Sequence, residues 1–425
     1  MLDFKIEKKI KGGLGRAGVI KTAHGDILTP AFTVVGTKAT VKAVSSADVA
    51  ELGGQAILSN TYHLYLQPGD ALVKKAGGLG EFMRWDGPTL TDSGGFQAFS
   101  LGAAYGKGIS KLADGSKRAS SPLEVVSQTD GARDSKKSAD FYACPREGSE
   151  RSEEVIEPLA KIDEDGVTFK SHLDGSMHRF TPESSMAIQK NIGADITFAF
   201  DECTSPSATE EYQREAMHRT HRWAERSLAA FKKGQGKDKR RQSLYGIVQG
   251  GRHKELREKS ARTIGAMDFD GFGIGGSFDK DDMAGAVGWV NSILPEGKPR
   301  HLLGIGVPLD IVLGIEQGVD TFDCVHPTRI ARTGTVFDAH GNRMDLNKAK
   351  YATDFAPIDT TCTCMTCRTY DRAFLHHLFK AKELLVYRLA SIHNLHYIVN
   401  LTARARQAIL DGKYPEFKKQ FLSHM

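Results

Sequence analysis

With 425 residues, 40% of them hydrophobic, the chain can bury a core the size of one large barrel with an appendage, or of two domains. Its 57 basic and 52 acidic side chains leave a net charge of +5, so a polyanionic partner would meet a local patch and not a basic field over the whole surface. No apolar run has the length of a membrane span or a signal-peptide core, and the chain reads as soluble and cytoplasmic.

Apolar runs of strand length, nearly all ending in a glycine or polar cluster, are predicted at 30–37, 56–60, 89–94, 195–202, 243–250, 271–276, 301–306 and 321–325. Helical apolar spacing lies between them at 46–52, 184–191, 210–231, 253–264 and 309–317. Eight strands alternating with helices predict an α/β fold, a (β/α)8 TIM barrel, with a doubly wound open sheet as the alternative. The segment 108–152, rich in Ser, Lys, Asp, Gly and Glu, has no sustained period and reads as a flexible insertion springing from the rim after Asp92. It is either a substrate-contacting loop or a plain surface excursion. A further run at 167–172, an Asp-Gly turn and a run at 177–180 predict a hairpin outside the barrel. The basic run 232–241 precedes a strand and reads as a solvated loop on the face opposite the chemistry. From Asp371 onward the pattern is helical. These features divide the chain into a barrel at 1–358 and a zinc-binding, helical subdomain at 359–425 packed on it.

Three of the six cysteines fall in Cys362-x-Cys364-x-x-Cys367, a spacing that folds around one tetrahedral Zn2+ and needs one more ligand. His376, His377, His393 and His396 are the candidates, and four protein ligands would make the metal structural. Asp92, Asp201, Gln249, Gly275, Gly276 and Asp323 all stand at predicted carboxyl ends of strands, the face on which barrel enzymes place their chemistry. Carboxylates and an amide facing one pocket suit a ligand rich in N–H donors with an acceptor, the pattern of guanine. Asp92 and Asp323 then remain for acid/base and nucleophilic roles, and pattern alone does not divide those roles between them. Arg329 and Arg332, read on a loop past the last strand, either hold phosphates and base edges or stand in solvent. Phe96, Tyr62 and His63 at the rim either stack on a base or pack.

The motifs Asn60-Thr61-Tyr62-His63-Leu64, Asp92-Ser93-Gly94-Gly95-Phe96-Gln97, Phe200-Asp201-Glu202-Cys203-Thr204, Gly246-Ile247-Val248-Gln249-Gly250-Gly251 and Phe322-Asp323-Cys324-Val325, with the cysteine cluster, resemble the bacterial type of the tRNA-guanine transglycosylase family. The resemblance implies exchange of guanine at the anticodon wobble position for a 7-deazaguanine, with Asp323 as nucleophile at the ribose C1′ and Asp92 as general acid/base. It places Ser93, Gly94, Gly95, Phe96, Asp201, Gln249 and Gly276 at the base. Gly304, Ile305, Gly306, Val307, Pro308, Leu309 and Asp310, with Thr328, Arg329, Ile330, Ala331 and Arg332, would contact tRNA. Of the four histidines it selects His393 as the zinc ligand, and it implies a homodimer acting on tRNA with a GUN anticodon. Ser277-Phe278-Asp279-Lys280-Asp281 departs from the family pattern where the 7-substituent would be sensed, leaving the incoming base open. The insertion at 108–152 and His326 are further departures. Rival readings are a non-catalytic tRNA-binding subunit, a base exchanger acting on DNA and a barrel hydrolase with a catalytic metal.

Overall fold

The computed structural model describes residues 3–98, 160–235, 242–276 and 282–424, together with the backbone of 112–113 and 278–279. Eight parallel strands close a barrel in chain order: β1 (Ala31–Val35), β2 (Ile57–Ser59), β3 (Thr89–Thr91), β4 (Ile196–Phe198), β5 (Ser243–Val248), β6 (Gly271–Ile274), β7 (Arg300–Leu302) and β8 (Thr321–Cys324). The seam is closed by β3 against β4, with Ile196 opposite Leu90, and by β8 against β1, with Phe322 opposite Phe32. The barrel is thus as predicted, and the open-sheet alternative falls. Every residue of β1, β5 and β6 is buried, which is why these strands read as continuous apolar runs and not as alternating ones.

The strands are shorter than the predicted runs at their carboxyl ends. Asp92, Asp201 and Gln249 lie just past β3, β4 and β5. Local chemistry fixes the helices that follow. The helix α1 (Ser46–Glu51) starts in a capping box between Ser45 and Asp48. The helix α2 (Pro182–Ile192) starts in one between Thr181 and Ser184, with proline at its first position, and ends on Gly193 at φ 75°. The 26-residue helix α3 (Glu210–Gln235) carries Glu210 and Glu211 in its first turn and Lys232 and Lys233 in its last, matching its dipole. The start of the basic run 232–241 is therefore helical and not loop, and 236–241 lies outside the described residues.

A three-stranded antiparallel sheet, Asp3–Lys9, Arg16–Thr22 and Gly25–Thr29, is not among the predicted elements. Asp3–Lys9 has no buried residue, so it carries no apolar run to read. The last strand runs into β1, which sets the sheet against the amino-terminal end of the barrel. There Ile20 and Ile27 pack with Leu58, Leu90, Ile196, Phe198, Tyr245 and Ile247 and fill that end. A buried bidentate pair, Arg16 to Asp320 at 2.9 and 2.7 Å, ties the sheet to the start of β8.

The hairpin Val167–Lys170 and Met177–Phe180 stands outside the barrel as predicted, widened to three strands by Ala160–Ile162. The insertion call at 108–152 lies outside the described residues, apart from Leu112–Ala113, whose backbone pairs in parallel with Phe278–Asp279. The carboxyl-terminal part is helical, dominated by Leu384–Leu410, whose Leu389, Leu395 and Leu401 share one apolar cluster with Phe32, Val34 and Ile311 of the barrel. Arg406 donates to the carbonyls of Gly18 and Thr29, at 2.9 and 2.7 Å, and so clamps this helix to the amino-terminal sheet. Among the described residues no helix is long and apolar enough to cross a membrane.

Candidate active site

The carboxyl ends of the strands surround a concave pocket, the kind of place where small-molecule sites are found. Asp92, Ser93, Phe96, Asp201, Gln249, Gly276, Gly304 and Asp323 all line it, with Leu58, Phe198, Ile247 and Leu303 as apolar wall. Thus residues spread over more than two hundred positions of sequence meet in one pocket because barrel closure brings their strand ends together.

Asp92 is held by three donors. The Thr61 backbone N–H reaches Oδ1 at 2.8 Å, the Gln97 amide reaches Oδ2 at 2.7 Å, and the Asn60 amide also donates to Oδ2. Burial pushes its carboxyl up and the neighbouring Asp323 charge pushes the same way, against the lowering effect of the donors, so that it titrates at about 6. A carboxyl at that value can both give and take a proton near neutrality. Asp323 is anchored differently: its Oδ1 accepts from the Gly304 backbone N–H at 2.9 Å and lies 3.0 Å from Nε2 of His301.

Asp201 faces the other wall. Its Oδ1 accepts from the Ser93 hydroxyl at 2.8 Å and its Oδ2 from the Gln249 amide at 2.7 Å, so a carboxylate and an amide sit side by side. Such a pair offers acceptors and donors along one edge, as a purine edge requires. Two glycines make the approach close. A Cβ on Gly95 would lie 2.5 Å from the Asp201 carbonyl oxygen, and Gly276, at φ +93°, would place one 2.6 Å from Nη2 of Arg257.

Among the described residues, Cys362, Cys364, Cys367 and His393 form the one group of at least three such side chains whose donor atoms all lie within 4.8 Å of one another. Nδ1 of His393 stands 3.8, 3.7 and 3.2 Å from the three Sγ atoms in turn. A tetrahedral ion with bonds of about 2.3 Å to sulfur and about 2.0–2.1 Å to nitrogen needs edges of about 3.6 Å, so the cluster fits a metal. Nε2 of His393 lies 2.7 Å from the Phe337 carbonyl oxygen, which directs Nδ1 to the thiols. Of the other candidates, His396 lies 3.5 Å from Cys362 Sγ, His376 is bonded to the Leu346 carbonyl, and His377 is exposed.

The family model described as queuine tRNA-ribosyltransferase matches residues 11–131 and 148–425. The chain belongs to the queuine tRNA-ribosyltransferase family. A relative of that name from Desulforamulus reducens is 44% identical over 424 residues, covering 99% of this chain and 98% of the relative. One from Herpetosiphon aurantiacus is 44% identical over 426 residues, covering 100% and 93%, and one from Thermoanaerobacter pseudethanolicus is 43% identical over 423, covering 99% and 96%. Membership makes this chain a transglycosylase of the pentosyltransferase class.

The two segments that the family resemblance assigns to tRNA contact are only partly at the surface. Ile305, Gly306, Pro308 and Asp310 are buried in the first segment, and Thr328 and Ala331 in the second. Gly304, Val307, Leu309, Ile330 and Arg332 are half-buried, and Arg329 is exposed. Arg329 also lies on a short helix, His326–Ala331, not on the expected loop, because Pro327 is accommodated in a first helical turn. Asn60, Gln97, His301 and Arg257 are site residues that the strand-end pattern does not single out. Asn60 ends the predicted run 56–60, and both Asn60 and Gln97 stand in motifs that carry the family resemblance. Arg257 is fully buried on the helix Lys254–Gly265 and donates to the Gly251 and Gly275 carbonyls at 2.6 and 2.7 Å, tying together the turns after β5 and β6.

Proposed function

We propose that this transglycosylase exchanges guanine at the wobble position of tRNA with a GUN anticodon for a 7-deazaguanine, queuine or its precursor, in queuosine formation. The observation that carries the proposal is the meeting of Asp92 and Asp323 in one cavity with the Asp201–Gln249 pair. Asp323, as carboxylate, attacks C1′ of the ribose. A C–O bond forms, the bond from C1′ to N9 of guanine breaks, and protonated Asp92 supplies the proton that the departing base needs. The incoming base then gives its proton to Asp92 and attacks C1′, and the bond to Asp323 breaks. Two inversions give net retention, and no phosphodiester bond is touched. Asp201 would accept from N1–H and the 2-amino group of the base, with the Gln249 amide and the Gly276 N–H toward O6, while Phe96 stacks on it.

The Cys362, Cys364, Cys367 and His393 cluster would hold Zn2+ with four protein ligands, a structural ion that leaves no position open for water. Arg329 and Arg332 would meet the anticodon loop, whose bases are read splayed and unpaired. The family resemblance supports a cytoplasmic homodimer with its zinc-binding and helical part, 359–425, packed on the barrel. Exchange of labelled guanine into an anticodon stem-loop bearing uracil-guanine-uracil is the direct test. Incorporation there and none into duplex DNA is expected, and the reverse preference would transfer the reading to DNA.

The state of Asp92 gives a pH prediction. Expulsion of guanine needs the protonated acid, so single-turnover formation of the enzyme–tRNA adduct should weaken as pH rises through about 6. The Gln97 donor holds this value down, so Gln97→Leu raises it and should move the limb to higher pH. A limb unmoved in the variant would assign the proton to another group.

A further inference from the structure

Within β7, His301 is 0% exposed, so its ring needs polar partners where an apolar side chain would otherwise fill the barrel. It is paired in register with Thr321 of β8. Thr321 and Asp323 are two residues apart on one strand and face the same side. The imidazole bridges them, with Nδ1 2.8 Å from the Thr321 Oγ1 and Nε2 3.0 Å from the Asp323 Oδ1. The Phe198 ring, 5.3 Å away centroid to centroid, packs against it. A carboxylate only accepts, so in a neutral ring Nε2 carries the hydrogen, and Nδ1 accepts from the Thr321 hydroxyl.

We propose that His301 is a positioning residue for the nucleophile: its Nε2–H, with the Gly304 N–H, holds the Asp323 carboxylate in the attitude that attacks C1′, and the Thr321 hydroxyl, donating to Nδ1, holds the ring in place. The proposal rests on the reading of Asp323 as nucleophile. The arrangement inverts that of a serine hydrolase, where a carboxylate orients a histidine that works. Here the carboxylate works and the histidine orients it. His301 transfers no proton in either half of the exchange. When the bond to C1′ breaks in the second half, the charge returning to Asp323 meets donors already in place.

The test is steady-state exchange of labelled guanine into the stem-loop by the whole enzyme, its zinc content and stem-loop affinity serving as checks on the fold. His301→Leu should lower kcat by about 10–100-fold, the rate equivalent of one hydrogen bond to a charged group, with KM for guanine and stem-loop within about two-fold. His301→Gln, whose side-chain amide places an N–H near the position of Nε2, should recover most of that loss. Thr321→Val should lower kcat by less, and adding it to His301→Leu should cost nothing further, because both act through one chain of bonds. A kcat for His301→Leu within about two-fold of wild type, or equal losses in the Leu and Gln variants, overturns the proposal. Asp323→Asn, run beside them, separates the two ideas: if it still exchanges guanine, the nucleophile reading fails and this inference with it.

Discussion

Replacing Asp323 by Asn is expected to lower guanine exchange by at least about 10⁴-fold and to abolish the denaturant-resistant adduct between enzyme and tRNA. An amide oxygen is a far weaker nucleophile than a carboxylate, and among the described residues the other carboxylates lining the cavity, Asp92 and Asp201, are given other roles. The fold should survive the change, since an Asn carbonyl oxygen can take over the place of Oδ1, accepting from Gly304 and His301. Denaturing gel electrophoresis of enzyme mixed with labelled stem-loop checks the adduct, and a thermal melt checks the fold. Persistence of the adduct in the Asn variant would move the covalent chemistry to another residue, with Asp92 the first to examine.

Removal of the proposed zinc ion should act quite differently. The four ligands join the short helix Met365–Thr369, through its cap Cys364, to the long helix Leu384–Leu410, and His393 is bonded in turn to the strand Thr335–Phe337. Cys364 and Cys367 also belong to the apolar cluster shared with the barrel. Chelation, or Cys367→Ser, should therefore lower the unfolding temperature by roughly 10 °C or more, with activity lost in parallel. Calorimetry and exchange assays on the same chelated sample decide it. Activity lost with the melting temperature unchanged would mean a catalytic metal, the rival hydrolase reading.

The parts of this site that could be read from sequence are those whose chemistry is local or repeats with the fold. Three thiols in six residues announce a metal through spacing alone, and Asp92, Asp201, Gln249 and Asp323 announce a pocket because a barrel places every strand end on one face. The fourth ligand needed more than spacing: four histidines were near in sequence, two on the helix Arg372–Ala381 and two on the helix Leu384–Leu410, and the choice depends on which of them faces the thiols. Partners set by closure of the barrel stayed hidden. His301 precedes Asp323 by 22 residues, and nothing in a single strand says that the two are neighbours across the ladder. Gln97 and Asn60 stand in motifs of the family resemblance, but their shared hold on Asp92 becomes visible only when the ends of β2 and β3 are laid side by side. The tRNA-contact segments show the opposite limit, since a contiguous motif contains side chains such as Asp310 and Thr328 that point inward.

The sheet at the amino-terminal end of the barrel has a kinetic meaning. Ile20 and Ile27 stop that end with the side chains of the strands themselves, so among the described residues the cavity is closed below and its doorway lies at the carboxyl ends of the strands. On the proposed reading the outgoing purine and its replacement must use that doorway in turn, while the tRNA waits bonded to the enzyme. The order of events, double displacement with one base leaving before the other arrives, is then imposed by the shape of the vessel as much as by the chemistry at its mouth.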